Sequence, residues 1–159
     1  MISPFLKKLL FARQFSMEDG KIEILGKKQI LLPGDVIYEM EKLIPKTVYK
    51  SVKDTVKKDI EDYARKLGSA GEGMLKILGE IFETFGLGEI EIIDMDDRKK
   101  RCIIRIHNST LISMGSGKDG AIITPAILSG MFSFLFKKDV DAKKSNKSIG
   151  MDYLEYVIM

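Results

Sequence analysis

The sequence predicts an α+β fold, an antiparallel sheet packed by several helices, and three observations carry that prediction. Short runs alternate polar and apolar residues and are joined by tight turns, the pattern of strands that fold back on their neighbours. Around them, longer stretches place apolar residues every three or four positions, which gives a helix one buried face. The chain has 159 residues, 45% of them apolar, enough for one core without a metal or disulfide staple. A single domain over residues 1–159 is expected, with 1–14 a docking helix.

Phe5, Leu6, Leu9, Leu10 and Arg13 repeat at helical spacing on a narrow face, which suits a short helix docked on the domain or on a second subunit. Residues 15–32 hold the turn signals Glu18-Asp19-Gly20-Lys21 and Leu25-Gly26-Lys27-Lys28 around the alternating Lys21-Ile22-Glu23-Ile24, a small meander. Pro33-Gly34-Asp35 interrupts this pattern. Val36, Ile37, Met40, Leu43 and Ile44 then share one helical face, which Pro45 ends because its ring clashes with a continuing helix. Val48, Val52, Val56, Ile60, Tyr63 and Leu67 mark a long amphipathic helix that stops near Gly68.

After a flexible connection from Gly68 to Gly73, Met74, Leu75, Leu78, Ile81, Phe82 and Phe85 form a broad apolar face ending at Gly86. Residues 89–95 and 101–107 form two antiparallel strands around the charged turn Asp96-Asp97-Arg98-Lys99-Lys100, with Cys102, Ile104 and Ile106 on one face. Residues 122–136 return to helical spacing. Ile123, Ile127, Met131, Phe134 and Leu135 are placed to face a core, and Gly130 permits close approach of a neighbour. Residues 140–144 and 153–159 are the last strands, separated by a loop through Gly150.

The 26 basic and 23 acidic residues are interspersed, and a net charge of +3 predicts solubility without a nucleic-acid partner. One cysteine rules out an intrachain disulfide and a thiolate cage, and fits a reducing, cytoplasmic setting. Lys7 and Lys8 interrupt the apolar run that an export signal needs. No apolar stretch reaches the roughly 20 residues of a membrane span; the best, 122–136, contains Pro125, Ser129 and Gly130.

No catalytic constellation stands out. His107 is the only histidine and has no acidic residue close to it in sequence, so a locally bonded strand end is expected, with Asn108 and Ser109 as a cap or turn. Residues 113–120 fail the phosphate-loop pattern at both ends, at Ile112 and Asp119. Asp94, Asp96 and Asp97 are followed by four basic residues and describe a solvated turn. Met74, Phe82, Phe85, Met131 and Phe134 stand on elements that converge, and such soft groups either pack a core or line an adaptable ligand pocket.

Residues 77–85, Gly86-Leu87-Gly88, 90–106, Asn108-Ser109, 126–135 and 140–158 follow one another in an order and spacing that resembles the 4-vinyl-reductase domain family. The resemblance implies the fold shared with TRAPP tethering subunits, a homodimer, and an apolar cavity akin to that of hydrocarbon-sensing domains. It also implies a metal site of one acid and three cysteines. Here those positions hold Lys143, and Pro125, Asn146 and Leu154, so no metal and no other cofactor is expected.

The resulting expectation is a non-enzymatic, homodimeric module that binds a small hydrophobic or lipid-like molecule with Met74, Phe82, Phe85, Met131 and Phe134, and passes its output to a separate regulatory partner. Two alternatives stay open. One is a reductase or auxiliary protein acting on a vinyl-bearing tetrapyrrole, although no nicotinamide or flavin fingerprint is visible. The other is a scaffold subunit of a protein assembly.

Overall fold

A computed structural model describes residues 3–68, 72–113, 122–148 and 151–159. The chain divides into two compact units, Met1–Pro33 and Gly34–Met159. In the first, helix α1 (Pro4–Phe11) starts at Ser3, whose hydroxyl accepts the Leu6 N–H at 3.1 Å, and with a proline where a missing N–H costs nothing. Strands β1 (Phe15–Glu18), β2 (Lys21–Ile24) and β3 (Lys27–Gln29) form the expected meander. Asp19, Gly20, Leu25 and Gly26 all have positive φ, so both turns have the I′ twist that matches paired strands.

In the second unit, helices α2 (Gly34–Leu43), α3 (Val48–Leu67) and α4 (Glu72–Thr84) precede strands β4 (Glu89–Asp96) and β5 (Arg101–His107). A short helix α5 (Thr110–Ser113), helix α6 (Ile123–Phe136), strand β6 (Ala142–Lys144), a 3-10 turn (Asn146–Ser148) and strand β7 (Leu154–Ile158) complete it. The four strands form an antiparallel sheet in the order β4-β5-β7-β6. This is the predicted α+β architecture.

The sheet's register explains its core. Cys102, Ile104 and Ile106 pair with Ile158, Tyr156 and Leu154, and the period of two puts all six side chains on one face, where all are buried. The opposite face pairs Arg105 with Glu155. Helix α4 packs on β4, and α6 packs on β6, β7 and α4, with α3 against α6. Helix α6 is apolar all round and accordingly buried on nearly every side.

Gly130 lets α3 and α6 meet closely: a Cβ there would stand 2.6 Å from the Lys53 carbonyl oxygen and 2.9 Å from Val56 Cβ. Polar bonds fix the same contact. Ser129 Oγ donates to Pro125 O and accepts the Ala142 N–H at 2.7 Å, and Tyr49 Oη lies 2.6 Å from it. The ammonium of Lys53, itself buried, bonds Asp139 and Asp141 at 2.7 Å each. Burial works against that charge, but the two carboxylates prevail and raise the Lys53 pKa.

Helix α2 corrects one expectation. Of its apolar face, Val36, Met40 and Leu43 are 41%, 49% and 84% exposed and Ile37 and Ile44 are half-buried, while Glu41 is buried. The reason lies in α6, whose first turn has no side-chain cap of its own. Glu41 Oε1 supplies it, accepting the N–H groups of Ile122 and Ile123 at 2.8 and 2.9 Å. The glycine-rich connection after Gly68, the loop after Ser113 and the turn at Gly150 involve residues 69–71, 114–121 and 149–150, outside the described residues.

Candidate functional site

Helix α4 runs into the edge strand β4 through Gly86, Leu87 and Gly88. At Gly88, φ is +113° and a Cβ would stand 2.5 Å from His107 O and 2.7 Å from Ile106 Cγ2. Only glycine lets this turn lie against the end of β5. Beyond it, α4, β4 and α6 enclose a groove of about 420 Å³. One side of α4 provides Leu75, Lys76, Gly79, Glu80 and Glu83. Alternate positions of β4 provide Ile90 and Ile92, and α6 adds the buried Met131 and Phe132.

Gly79 matters to this groove because a Cβ built there meets no atom within 4 Å. It leaves α4 without a side chain where the groove needs room. Leu75, Ile90, Ile92, Met131 and Phe132 give its lining apolar, polarizable groups, and Lys76, Glu80, Glu83 and Glu89 give it charged ones. Chemically, such a lining offers apolar contact surface beside hydrated charged groups.

Of the five residues that the sequence singles out for ligand binding, Met131 lines this groove. Met74 and Phe82 are fully buried in the core, Phe134 is half-buried on α6, and Phe85 follows the end of α4 with 40% of its surface exposed. Leu75, Gly79, Ile90, Ile92 and Phe132 were not singled out. Their signal was available in the helical spacing of Leu75 and Gly79 and in the alternation of Ile90 and Ile92.

Strand pairing also changes the surroundings of His107. Glu91 on β4 brings Oε2 to 3.0 Å from His107 Nε2, and Tyr153 lies against the ring with centroids 5.6 Å apart. The acidic partner missing from the local sequence thus comes from the neighbouring strand. Cys102 is buried, and burial, helped by the charge of Asp94, pushes its thiol up to about 12. It is a core side chain and a poor nucleophile. The aspartates of the β4–β5 turn bond their own lysines: Asp96 with Lys99 and Asp97 with Lys100.

The metal set implied by the resemblance does not fit these residues. Pro125 is buried in α6 and offers no donor atom, Leu154 is a core aliphatic, and Lys143 and Asn146 are exposed. Among the described residues, no group of three or more His, Cys, Asp or Glu side chains is placed to hold a metal ion. Nor is any helix of the described residues long and apolar enough to cross a membrane.

A four-stranded antiparallel sheet with helices on its core face defines the α+β class to which several solved structures belong. The phenol-responsive sensory domain of the transcription activator PoxR, solved with phenol, superimposes with a TM-score of 0.71 at 15% identity, over 99% of this chain and 90% of that one. A vinyl-4-reductase family protein from Methanocaldococcus jannaschii gives 0.51 at 16% identity, over 82% and 83%. Subunit 3 of a trafficking protein particle complex from Naegleria fowleri, covalently bound to palmitic acid, gives 0.51 at 13%, over 79% and 88%. No protein-family model matches the sequence, and no curated protein matches it significantly. The chain has the fold that these three proteins share.

Proposed function

We propose that this protein is a non-enzymatic binding module whose α4–β4–α6 groove holds a small apolar molecule. The observation that carries this reading is the groove itself, floored by Met131 and Phe132 and kept open by Gly79. The similarity to a sensory domain solved with phenol supports it. Binding is non-covalent in this reading, because Cys102, the only cysteine of the chain, is buried in the core and does not line the groove. The signalling unit is a homodimer joined through the outward face of α2, where Val36, Met40 and Leu43 form an exposed apolar stripe. A separate partner protein reads its state.

Thermal melting with a panel of phenols, alkylbenzenes and fatty acids tests the groove. A ligand at a hundred times its Kd stabilises by about 2.7 kcal/mol. Gly79→Leu fills the open space on α4 and is expected to abolish that shift without unfolding the protein. Absence of stabilisation by every member of the panel, or an identical shift in Gly79→Leu, would refute the proposal. For the dimer, sedimentation of Met40→Glu and Leu43→Glu variants should show monomers; a wild-type monomer defeats that part alone.

A further inference from the structure

A second cavity, of about 460 Å³, lies at the start of α6, between the α2–α3 connection and strands β6 and β7. Ile122, Pro125, Ala142 and the ring of Tyr156 give it apolar walls. Lys46, Lys143 and Lys144, all exposed, give it a cationic mouth. Among the described residues, two buried polar atoms at this end of α6 have no hydrogen-bond partner: the hydroxyl of Tyr156, a residue only 1% exposed, and Oε2 of Glu41. A native fold rarely leaves a buried hydroxyl unpaired, because its lost hydration is not recovered. Among the described residues nothing pairs with the Tyr156 hydroxyl, which leaves it available to a bound group.

We propose that this cleft is a second ligand site, for a small aromatic carboxylate that carries a hydroxyl group. The carboxylate sits among the three lysines, the ring lies against Pro125 and Tyr156, and the hydroxyl meets the buried Tyr156 Oη. A purely apolar guest would leave the lysine mouth and the Tyr156 hydroxyl unused, and a simple anion would leave the apolar walls wet. Burial, reinforced by the charge of Glu41, pushes the Tyr156 phenol well above its ordinary range, so it acts as a neutral donor. This site shares no lining residue with the α4–β4–α6 groove.

Calorimetric titration with 4-hydroxybenzoate, benzoate and phenol tests the proposal. 4-Hydroxybenzoate is expected to bind, and more weakly as salt rises. Tyr156→Phe should weaken it about tenfold, to the affinity of benzoate, while leaving benzoate itself unchanged. The double change Lys143→Glu, Lys144→Glu, on exposed positions that leave folding intact, should weaken both acids at least tenfold. Gly79→Leu should alter neither acid. Failure of 4-hydroxybenzoate to bind at millimolar concentration, equal affinity in Tyr156→Phe, or loss of binding in Gly79→Leu overturns the proposal. Phenol binding that is lost in Gly79→Leu and kept in the lysine variant reports on the groove alone, so the two readings fail separately.

Discussion

Replacing Gly130 with alanine tests the contact on which the helical layers depend. The added Cβ would meet Lys53 O at 2.6 Å, Val56 Cβ at 2.9 Å and Val56 Cγ1 at 3.0 Å, where ordinary contacts begin at 3.4 Å. One obstacle is a backbone carbonyl and another a stiff β-branched side chain, so relief requires α3 and α6 to separate by roughly 0.8 Å, and such overpacking costs about 1–3 kcal/mol. Alanine's better helix propensity returns about 1 kcal/mol. The net loss of up to about 2 kcal/mol corresponds to a fall in melting temperature of up to roughly 8 °C for a chain of this size. Gly79→Ala is the internal control: with no atom within 4 Å of its Cβ, only the propensity gain remains, worth about 0.5–1 kcal/mol of stabilisation. Circular dichroism melts of the two variants should therefore shift in opposite directions. Equal upward shifts would show that α3 and α6 do not meet at Gly130.

Three further outcomes follow. Glu41→Ala removes the single acceptor of two N–H groups in the first turn of α6 and should cost about 2 kcal/mol, with faster hydrogen exchange at the Ile122 and Ile123 amides as the local signature. Cys102 should resist iodoacetamide in the native protein at mildly alkaline pH and react completely in concentrated guanidinium, since burial holds its thiol near 12. The hydrogen bond from Lys53 holds the Asp139 carboxyl below its ordinary range, so its contribution is full above the unfolded carboxylate pKa and disappears as pH falls through the lowered folded value. The raised Lys53 behaves in the opposite sense: its contribution is full below the ordinary lysine value of 10.5 and is lost as pH rises through the folded value. Asp139 is mostly exposed, so Asp139→Asn should flatten the acid limb of a melting-temperature profile by no more than about 1 kcal/mol.

Elements with strong periodicity were legible before any coordinates. The alternation of Cys102, Ile104 and Ile106 places β5 at its observed bounds, and the apolar spacing from Val48 to Leu67 does the same for α3. Gly130 was recognisable as a point of close approach because a glycine inside an apolar helix has few other uses. The orientation of α2 was not legible: the partner that draws Glu41 inward lies 81 residues away, and hydrophobic spacing alone favours the opposite face. The groove was only partly visible for a similar reason. Met74, Phe82 and Met131 are all soft apolar residues in the sequence and all are buried, yet only Met131 lies along the groove. Glu91 became a neighbour of His107 only through the register of β4 with β5.

The register of β4 shifts between Ile92 and Asp94, a bulge in the exposed edge strand of the sheet. Such a bulge spoils the straight ladder of donors and acceptors that an incoming strand would need. Glu89, Glu91, Asp94 and Asp96 add like charges along the same edge. At the far edge, β6 is three residues long and carries Lys143 and Lys144. Sheet extension from one molecule to the next, the route to fibrils, is thus obstructed at both ends.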